Sequence, residues 1–426
     1  FLKLTTTTNP FPFSSLTMRG LFYVALLSVF SQVAATGVSH ANNDLETELR
    51  LLVDALGSAS GYALQLGWKS ATHEFTIAGG EYAEPPMYKT QKKTTPSDTF
   101  LFGSGTKPFT ATAVMGLVAK GSVDLDDSLM HHIDPVLEYL SPGTSTVGLF
   151  GQAATNVTVG HILRMQSGIQ DFDQPGFDAY LLRPNESYKV HSPIEIIKFA
   201  ASEQKGLLFP PGTQVCYSST NYVLAGLVLL AHSPPLTNWS TVDLKSFFPE
   251  GVTGDGYFYD GLKFIDEKLT VPGLTGGGFA HLPKLNIYNQ SSSILGWTCG
   301  NLVANTGVVA NFIWDLLGPD ATILPPTVLK EMKDFKPLSF GWAKGYISYG
   351  TGLMIQGASS TNTVPPTFSE LGQYMGHGGD TYGFLSEQGI AYGLNASISV
   401  TANEDGESDF VRGTFMCRVI ETAARV

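Results

Sequence analysis

The chain divides by the rhythm of its apolar positions. From Leu45 to Leu56 they recur every three or four residues, the spacing of one helix face, whereas Gly61–Trp68 and Glu74–Ala78 alternate as paired strands do. An apolar run, Phe100-Leu-Phe, ends in Gly103, and from Lys107 the residues Phe109, Ala113, Val114, Leu117 and Val118 fall again at helical spacing. The order helix, strand, strand, helix predicts an antiparallel sheet backed by helices. Pro135, Pro142-Gly143 and Gly151 mark loops, and Val159–Gly168 reads as a short helix closed by its glycine, so the middle of the chain is expected to be mainly helical. Asn305–Leu317 reads as a helix. Gly350–Ile355, Tyr382–Ser386 and Asn395–Thr401 read as strands, and Glu407–Ala424 as a closing amphipathic helix. The fold class expected is therefore α+β, with an antiparallel sheet from residues near 61–78 and 350–401 flanked by the terminal helices. A mainly helical subdomain from residues near 110–335 should face that sheet across a cleft.

Two stretches depart from this rhythm. Residues 233–296 are rich in Gly, Pro, Ser and aromatics, which suits an insertion or a lid. Near the start, Met18, the charged Arg19, the apolar Leu21–Phe30 and the small residues Val33-Ala34-Ala35 have the layout of a secretory signal peptide over 18–35. Residues 1–17 are then an upstream non-structural segment, residues 36–426 form one domain, and the expected location is extracellular. The apolar core of the signal is short for a membrane span, and no later stretch is apolar for 18 residues, so no stable membrane span is expected after cleavage. Five glycosylation sequons, at Asn156, Asn185, Asn238, Asn289 and Asn395, agree with secretion.

Composition narrows the partners. With 43% hydrophobic and 15% charged residues the 426-residue chain can bury a sizeable core, and a net charge of -12 disfavours nucleic acid or an anionic membrane. A small-molecule or peptide substrate remains. Cys216, Cys299 and Cys417 allow at most one internal bridge and have no metal-ligand spacing.

The candidate chemistry starts at Ser104. It precedes a helix whose N-terminal N–H groups and dipole favour a developing alkoxide, and Lys107 follows one helical turn later, the S-x-x-K arrangement of serine acyl-transfer enzymes. Spacing alone also fits an N-capping serine with a solvated lysine. Ser202-Glu-Gln-Lys205 matches it too, but it lies just before Gly206 at a helix end, where the dipole opposes an alkoxide. A second segment, Pro210–Gly226, turns at Pro211-Gly212 and leads through Tyr217 into an apolar helix. A third, Gly376–Phe384, places His377 among glycines before a strand, where a substrate can approach the backbone.

Together and in this order the three segments resemble the serine β-lactamase-related family, which includes class C β-lactamases, D-Ala-D-Ala carboxypeptidases, D-aminopeptidases and lactamase-like esterases. Thr99–Thr110, Gly121–Asp127, His161–Gly168 and Pro211–Tyr222 look like successive landmarks of that family. The resemblance covers most of residues 45–426 and implies a β-lactamase/transpeptidase-like fold. It implies Ser104 as nucleophile, Lys107 as its charged neighbour and Tyr217 as general base. It also implies His377 in place of the lysine of a Lys-Thr-Gly triplet, Gly378 and Gly379 beneath the substrate, and an oxyanion hole from the N–H groups of Ser104 and Asp380. No metal or organic cofactor is implied.

Two departures shape the expected function. Tyr217-Ser218-Ser219 stands where relatives have Tyr-x-Asn, while Ser219-Thr220-Asn221 offers an S-x-N triplet, so Ser219 and Asn221 become candidate substrate contacts. Asp380 and a neutral His377 disfavour a carboxylate in the cleft, if Asp380 points into it. The leading expectation is a secreted serine hydrolase acting through an acyl-enzyme on an ester or amide without a required carboxylate. The alternative is a non-catalytic or slowly turning over acylation sensor on the same fold. An α/β-hydrolase is disfavoured, since no G-x-S-x-G elbow exists.

Overall fold

A computed structural model of the chain describes residues 44–83, 91–181, 189–233, 238–259, 296–341, 347–357, 372–404 and 410–426, with residues 183, 186, 236 and 344 between them. The proposed signal at 18–35, the N-terminal boundaries and most of the 233–296 segment lie outside them. Every described helix and strand belongs to the unit Leu45–Val426.

Helix α1 (Leu45–Ser60) buries Leu49, Val53, Leu56 and Gly57 along one stripe, as its spacing predicts. The main sheet has eight described strands, β1 (Leu64–Ser70), β2 (Glu74–Gly79), β3 (Lys336–Pro337), β4 (Ser348–Tyr349), β5 (Met354–Gly357), β6 (Gln373–Thr381), β7 (Phe384–Ala391) and β8 (Ala396–Ala402). Their order is β2-β1-β8-β7-β6-β5-β4-β3 and every pairing is antiparallel. The mainly helical region contributes, among others, α2 (Lys107–Ala119), α3 (Leu129–Leu140), α4 (Pro193–Glu203) and α5 (Thr220–Ala231). Helix α6 (Thr306–Leu317) returns the chain to the sheet, with Asn305 capping it by accepting from Val308 N. The chain closes with a π-helical stretch, Phe410–Met416, running into α7 (Cys417–Ala423).

The two faces of the sheet differ in chemistry. Toward α1 and the C-terminal helix it presents buried Leu64, Leu66, Trp68, Ile398 and Val400, an ordinary apolar contact. Toward α6 and the start of α2 it presents Gln65, Ser386, Gln388, Ser397, Ser399, Thr401 and His377, all at most 2% exposed. Buried polar groups need partners, and several of these find them in main chain. Gln65 donates to the Thr95 and Asp98 carbonyls (both 3.0 Å) and accepts from Thr306 N (2.7 Å) and Oγ1 (3.1 Å). Ser386 donates to the Phe102 carbonyl and Ser397 to the Ala310 carbonyl. Gly67 leaves room for the Thr306 carbonyl, so α6 lies close on the sheet.

Several expected boundaries shift. The glycine-rich 376–381 segment does not precede a strand; it belongs to β6, and the next strand extends to Ala391. Gly350–Gly352 is not strand, because β5 begins at Met354. The short helix from Val159 ends at Leu163 instead of reaching Gly168, since Met165 takes a left-handed backbone (φ 57°). Removing the four Gln65 hydrogen bonds strands the Thr95 and Asp98 carbonyls and the Thr306 N–H at the head of α6. Gln65→Ala is therefore expected to lower stability by about 2–4 kcal/mol, measured by urea unfolding.

Candidate active site

Ser104 lies in a 3-10 turn, Gly103–Thr106, that joins the short strand Phe100–Leu101 to α2. Two glycines place that turn. A side chain at Gly103 (φ 49°) would strike the Asp380 carbonyl, and one at Gly379 would strike the Phe102 carbonyl, so the turn rests directly on the main chain of β6. One helical turn on, Lys107 Nζ is 2.7 Å from Ser104 Oγ. The Tyr217 hydroxyl reaches the same oxygen from the other side at 2.8 Å. Ser104 and Tyr217 are half-buried and Lys107 is fully buried.

Tyr217 arrives on an extended segment pinned to 165–170. Cys216 N donates to the Met165 carbonyl (2.9 Å), and the left-handed turn at Met165 presents that carbonyl. The Lys107 nitrogen also donates to Ser219 Oγ (3.3 Å) and the Cys299 carbonyl (3.1 Å), and lies 5.0 Å from the Tyr217 ring centroid. Ser219 N in turn donates to Asp171 Oδ1 (2.8 Å). Burial depresses the Lys107 pKa and raises that of Tyr217 well above the usual phenol value. Burial and the neighbouring Asp173 charge push Asp171 up to about 7. The Cys299 and Cys216 thiols are pushed up to about 12 and about 11, in each case first by burial. All three cysteines are free.

Other expected site residues fall elsewhere. His377 is buried in β6, where Nδ1 donates to the Gly378 carbonyl (2.5 Å) and Nε2 accepts from the Tyr349 hydroxyl (3.1 Å). Its ring packs against Tyr217 at 6.1 Å, and burial takes its pKa down to about 3, so it is a neutral strut behind the tyrosine. The Asn221 amide is used internally, accepting from Ser167 Oγ (2.6 Å) and donating to Met165 Sδ (3.4 Å). It ties α5 to the 165–167 turn instead of facing a substrate. Gly378 and Gly379 lie in β6, the former against Glu387 and Arg412 on the α1 side of the sheet, the latter against the turn. Asp380 is exposed, and strand alternation puts its side chain on the α1 side while its main chain meets Gly103. Its charge therefore does not line the Ser104 face of the sheet. The Arg412 guanidinium is held by the buried Glu387 carboxylate (2.6 and 2.7 Å). Ser202, the decoy match, is exposed at the end of α4 and donates to the Phe199 carbonyl.

Sequence reasoning missed Asp171 and the Cys299 carbonyl. Asp171 has no spacing relation to either triplet and becomes visible only through its contact with Ser219. Among the described residues, no group of three or more His, Cys, Asp or Glu could hold a metal ion, and no helix is long and apolar enough to cross a membrane.

A sequence profile of the family described as Beta-lactamase matches residues 78–416, most of the chain. The chain belongs to that family. As a beta-lactamase family member it is a serine hydrolase with the β-lactamase/transpeptidase-like fold. Among similar solved structures is D-amino acid amidase from Ochrobactrum anthropi SV3 complexed with D-phenylalanine, with TM-score 0.67 and 22% identity, covering 90% of this chain and 99% of that one. A D-stereospecific amidohydrolase from Streptomyces sp. has TM-score 0.65 and 21% identity over 89% and 98%. The octameric penicillin-binding protein homologue from Pyrococcus abyssi has TM-score 0.62 and 19% identity over 90% and 77%.

In this beta-lactamase family member, folded Asp171 keeps its proton up to about pH 7, whereas an unfolded aspartate loses it near 3.9. The stability tied to the protonated form is thus complete below about pH 4 and is lost as pH rises through 7. Asp171→Asn, which needs no ionisation, is expected to raise Tm relative to wild type at pH 8 and to leave it nearly unchanged at pH 4, as read by calorimetry.

Proposed function

We propose that this protein hydrolyses amides or esters of amino acids through an acyl-enzyme on Ser104, with the substrate's amino group received by Asp171 and no carboxylate required. The observation that carries the reading is the placing of Ser104 Oγ between Lys107 Nζ at 2.7 Å and the Tyr217 hydroxyl at 2.8 Å. Both are at proton-transfer distance.

In this reading Ser104 Oγ attacks the carbonyl carbon and its proton passes to the Lys107 amine. Lys107 is the easier acceptor, because burial lowers its pKa while raising that of Tyr217. The role differs from the general base expected of Tyr217. Its phenol gives its own proton to the leaving nitrogen or oxygen and is reprotonated from Lys107. The developing oxyanion is met by the N–H groups of Ser104 and Asp380, whose main chains the Gly103 and Gly379 contacts hold together. Collapse of the tetrahedral species breaks the bond to the leaving group and leaves the ester on Ser104. Water then attacks that ester, with the proton transfers reversed.

Charge around the serine supports the substrate class. His377 is neutral, Arg412 is bound to Glu387 on the opposite face of the sheet, and Asp171 is a half-buried carboxylate beside Ser219. An ammonium would stabilise the ionised form of Asp171; a carboxylate would be repelled by it. The names of two similar structures, a D-amino acid amidase and a D-stereospecific amidohydrolase, make D-amino acid amides the first substrates to try. Exposed Asn156, Asn238 and Asn395 support glycosylation in a secretory setting, for which a mobility shift on enzymatic deglycosylation is the check.

Ser104→Ala is expected to abolish fluorophosphonate labelling and to lower kcat/KM on the order of 10⁴-fold or more, while Ser202→Ala changes neither. One persistent label per chain without turnover would favour the acylation-sensing alternative. Asp171→Asn should raise KM for D-phenylalanine amide about 10–100-fold and leave the N-acetylated amide unaffected, since only the free amine carries the charge. A higher kcat/KM for nitrocefin than for D-phenylalanine amide at pH 7.5 would overturn the substrate class.

A further inference from the structure

The helix-facing side of the sheet holds a carboxamide that neither the hydrogen-bond network nor the reaction above uses. His377, Gln388 and Ser399 are cross-strand partners on β6, β7 and β8, and all three are fully buried. His377 has Tyr349 and the Gly378 carbonyl. Among the described residues, the Gln388 carboxamide finds no hydrogen-bond partner for either its nitrogen or its oxygen. Burying such a group unbonded is destabilising, so an apolar side chain of similar volume would serve the core better.

Its position is specific. A Cβ on Gly105 would collide with Gln388 Nε2 and come within 3.1 Å of Cδ. Gly105 does not have a positive φ, so its backbone does not call for glycine; a side chain there would have to push aside the end of the Gln388 side chain beneath it. Gly105 follows Ser104 directly, and its N–H donates to the Phe102 carbonyl (2.8 Å), the carbonyl that Ser386 and the absent side chain of Gly379 also adjoin. One amide is thus wedged between the sheet and the turn that carries the hydroxyl.

We propose that Gln388 is a positioning residue for Ser104. Beside the main-chain contacts of Gly103 and Gly379, its carboxamide supports the Gly105 end of the turn, and with it the separation of the Ser104 and Asp380 N–H groups that meet the oxyanion. The proposal rests on Ser104 as nucleophile. Its effect belongs to the transition state, where the tetrahedral oxygen must reach both donors, and not to binding of the flat ground-state carbonyl.

The test is a compensation cycle on the full-length protein with D-phenylalanine amide or, if that is a poor substrate, a short-chain p-nitrophenyl ester. Gly105→Ala should lower kcat at least tenfold by displacing the carboxamide. Gln388→Ala should lower kcat about tenfold with KM unchanged. The double variant should recover at least fivefold over Gly105→Ala, because the colliding group is gone. Simple multiplication of the two single effects, in variants with wild-type circular dichroism, would overturn the proposal. Should Gly105→Ala not fold, Gln388→Met decides. A kcat loss of fivefold or more at unchanged KM and Tm supports positioning, and a smaller loss overturns it. Ser104→Ala separates the two failures: if it still labels with a fluorophosphonate, the nucleophile assignment is wrong, whereas a silent Ser104→Ala with a multiplicative cycle rejects Gln388 alone.

Discussion

A lysine nitrogen with no access to water must have its surroundings built for it, and much of this molecule is that construction. Lys107 leaves the first turn of α2 and ends among the Ser104 and Ser219 hydroxyls, the Cys299 carbonyl and the Tyr217 ring. These partners come from widely separated parts of the sequence, so the pocket exists only when the helical region is complete. Desolvation is the larger influence on the lysine, and it lowers the cost of holding a free amine beside a hydroxyl. The same dryness raises the Tyr217 pKa. One environment therefore moves the two groups in opposite directions and separates their duties.

The route from sequence to this site was partly open. Ser104 and Lys107 were legible because a helix start fixes the geometry of residues three apart. Tyr217 was legible because Pro211-Gly212 and the apolar run after Asn221 frame it on both sides. His377 was legible as a landmark but not in its function, since nothing in Gly376-His-Gly-Gly says which face of a strand the imidazole takes or that Tyr349 waits behind it. Asn221 carried the right amide at the wrong place: α5 begins at Thr220, which turns that side chain toward Met165 and Ser167. The helix from Val159 ended early, at Leu163, for a reason no propensity reports: the left-handed Met165 beyond it, whose carbonyl is needed by Cys216. The fold class followed from alternation and helical period. Strand β6 did not, because glycines carry no period.

The polar face of the sheet explains how a helical region and a sheet keep their register. An apolar interface is tolerant of small slides, because contact area changes little with position. Side chains bonded to individual carbonyls are not tolerant in this way. Gln65 grips the Thr95–Asp98 loop and the head of α6 together, Ser386 takes the Phe102 oxygen, and Ser397 takes those of Ala310 and Lys69. The apolar face against α1 supplies area, and the polar face supplies alignment.

The approach of Gly103 to Asp380 and of Gly379 to Phe102 has a mechanical side. Main chain resting on main chain has no rotamer to adjust, so neither segment can absorb a displacement of the other. The Ser104 turn and β6 behave as one stiff body, and larger motions fall to segments that touch this body only through side chains. A contact of this kind tolerates almost no insertion, deletion or added methyl group along either segment.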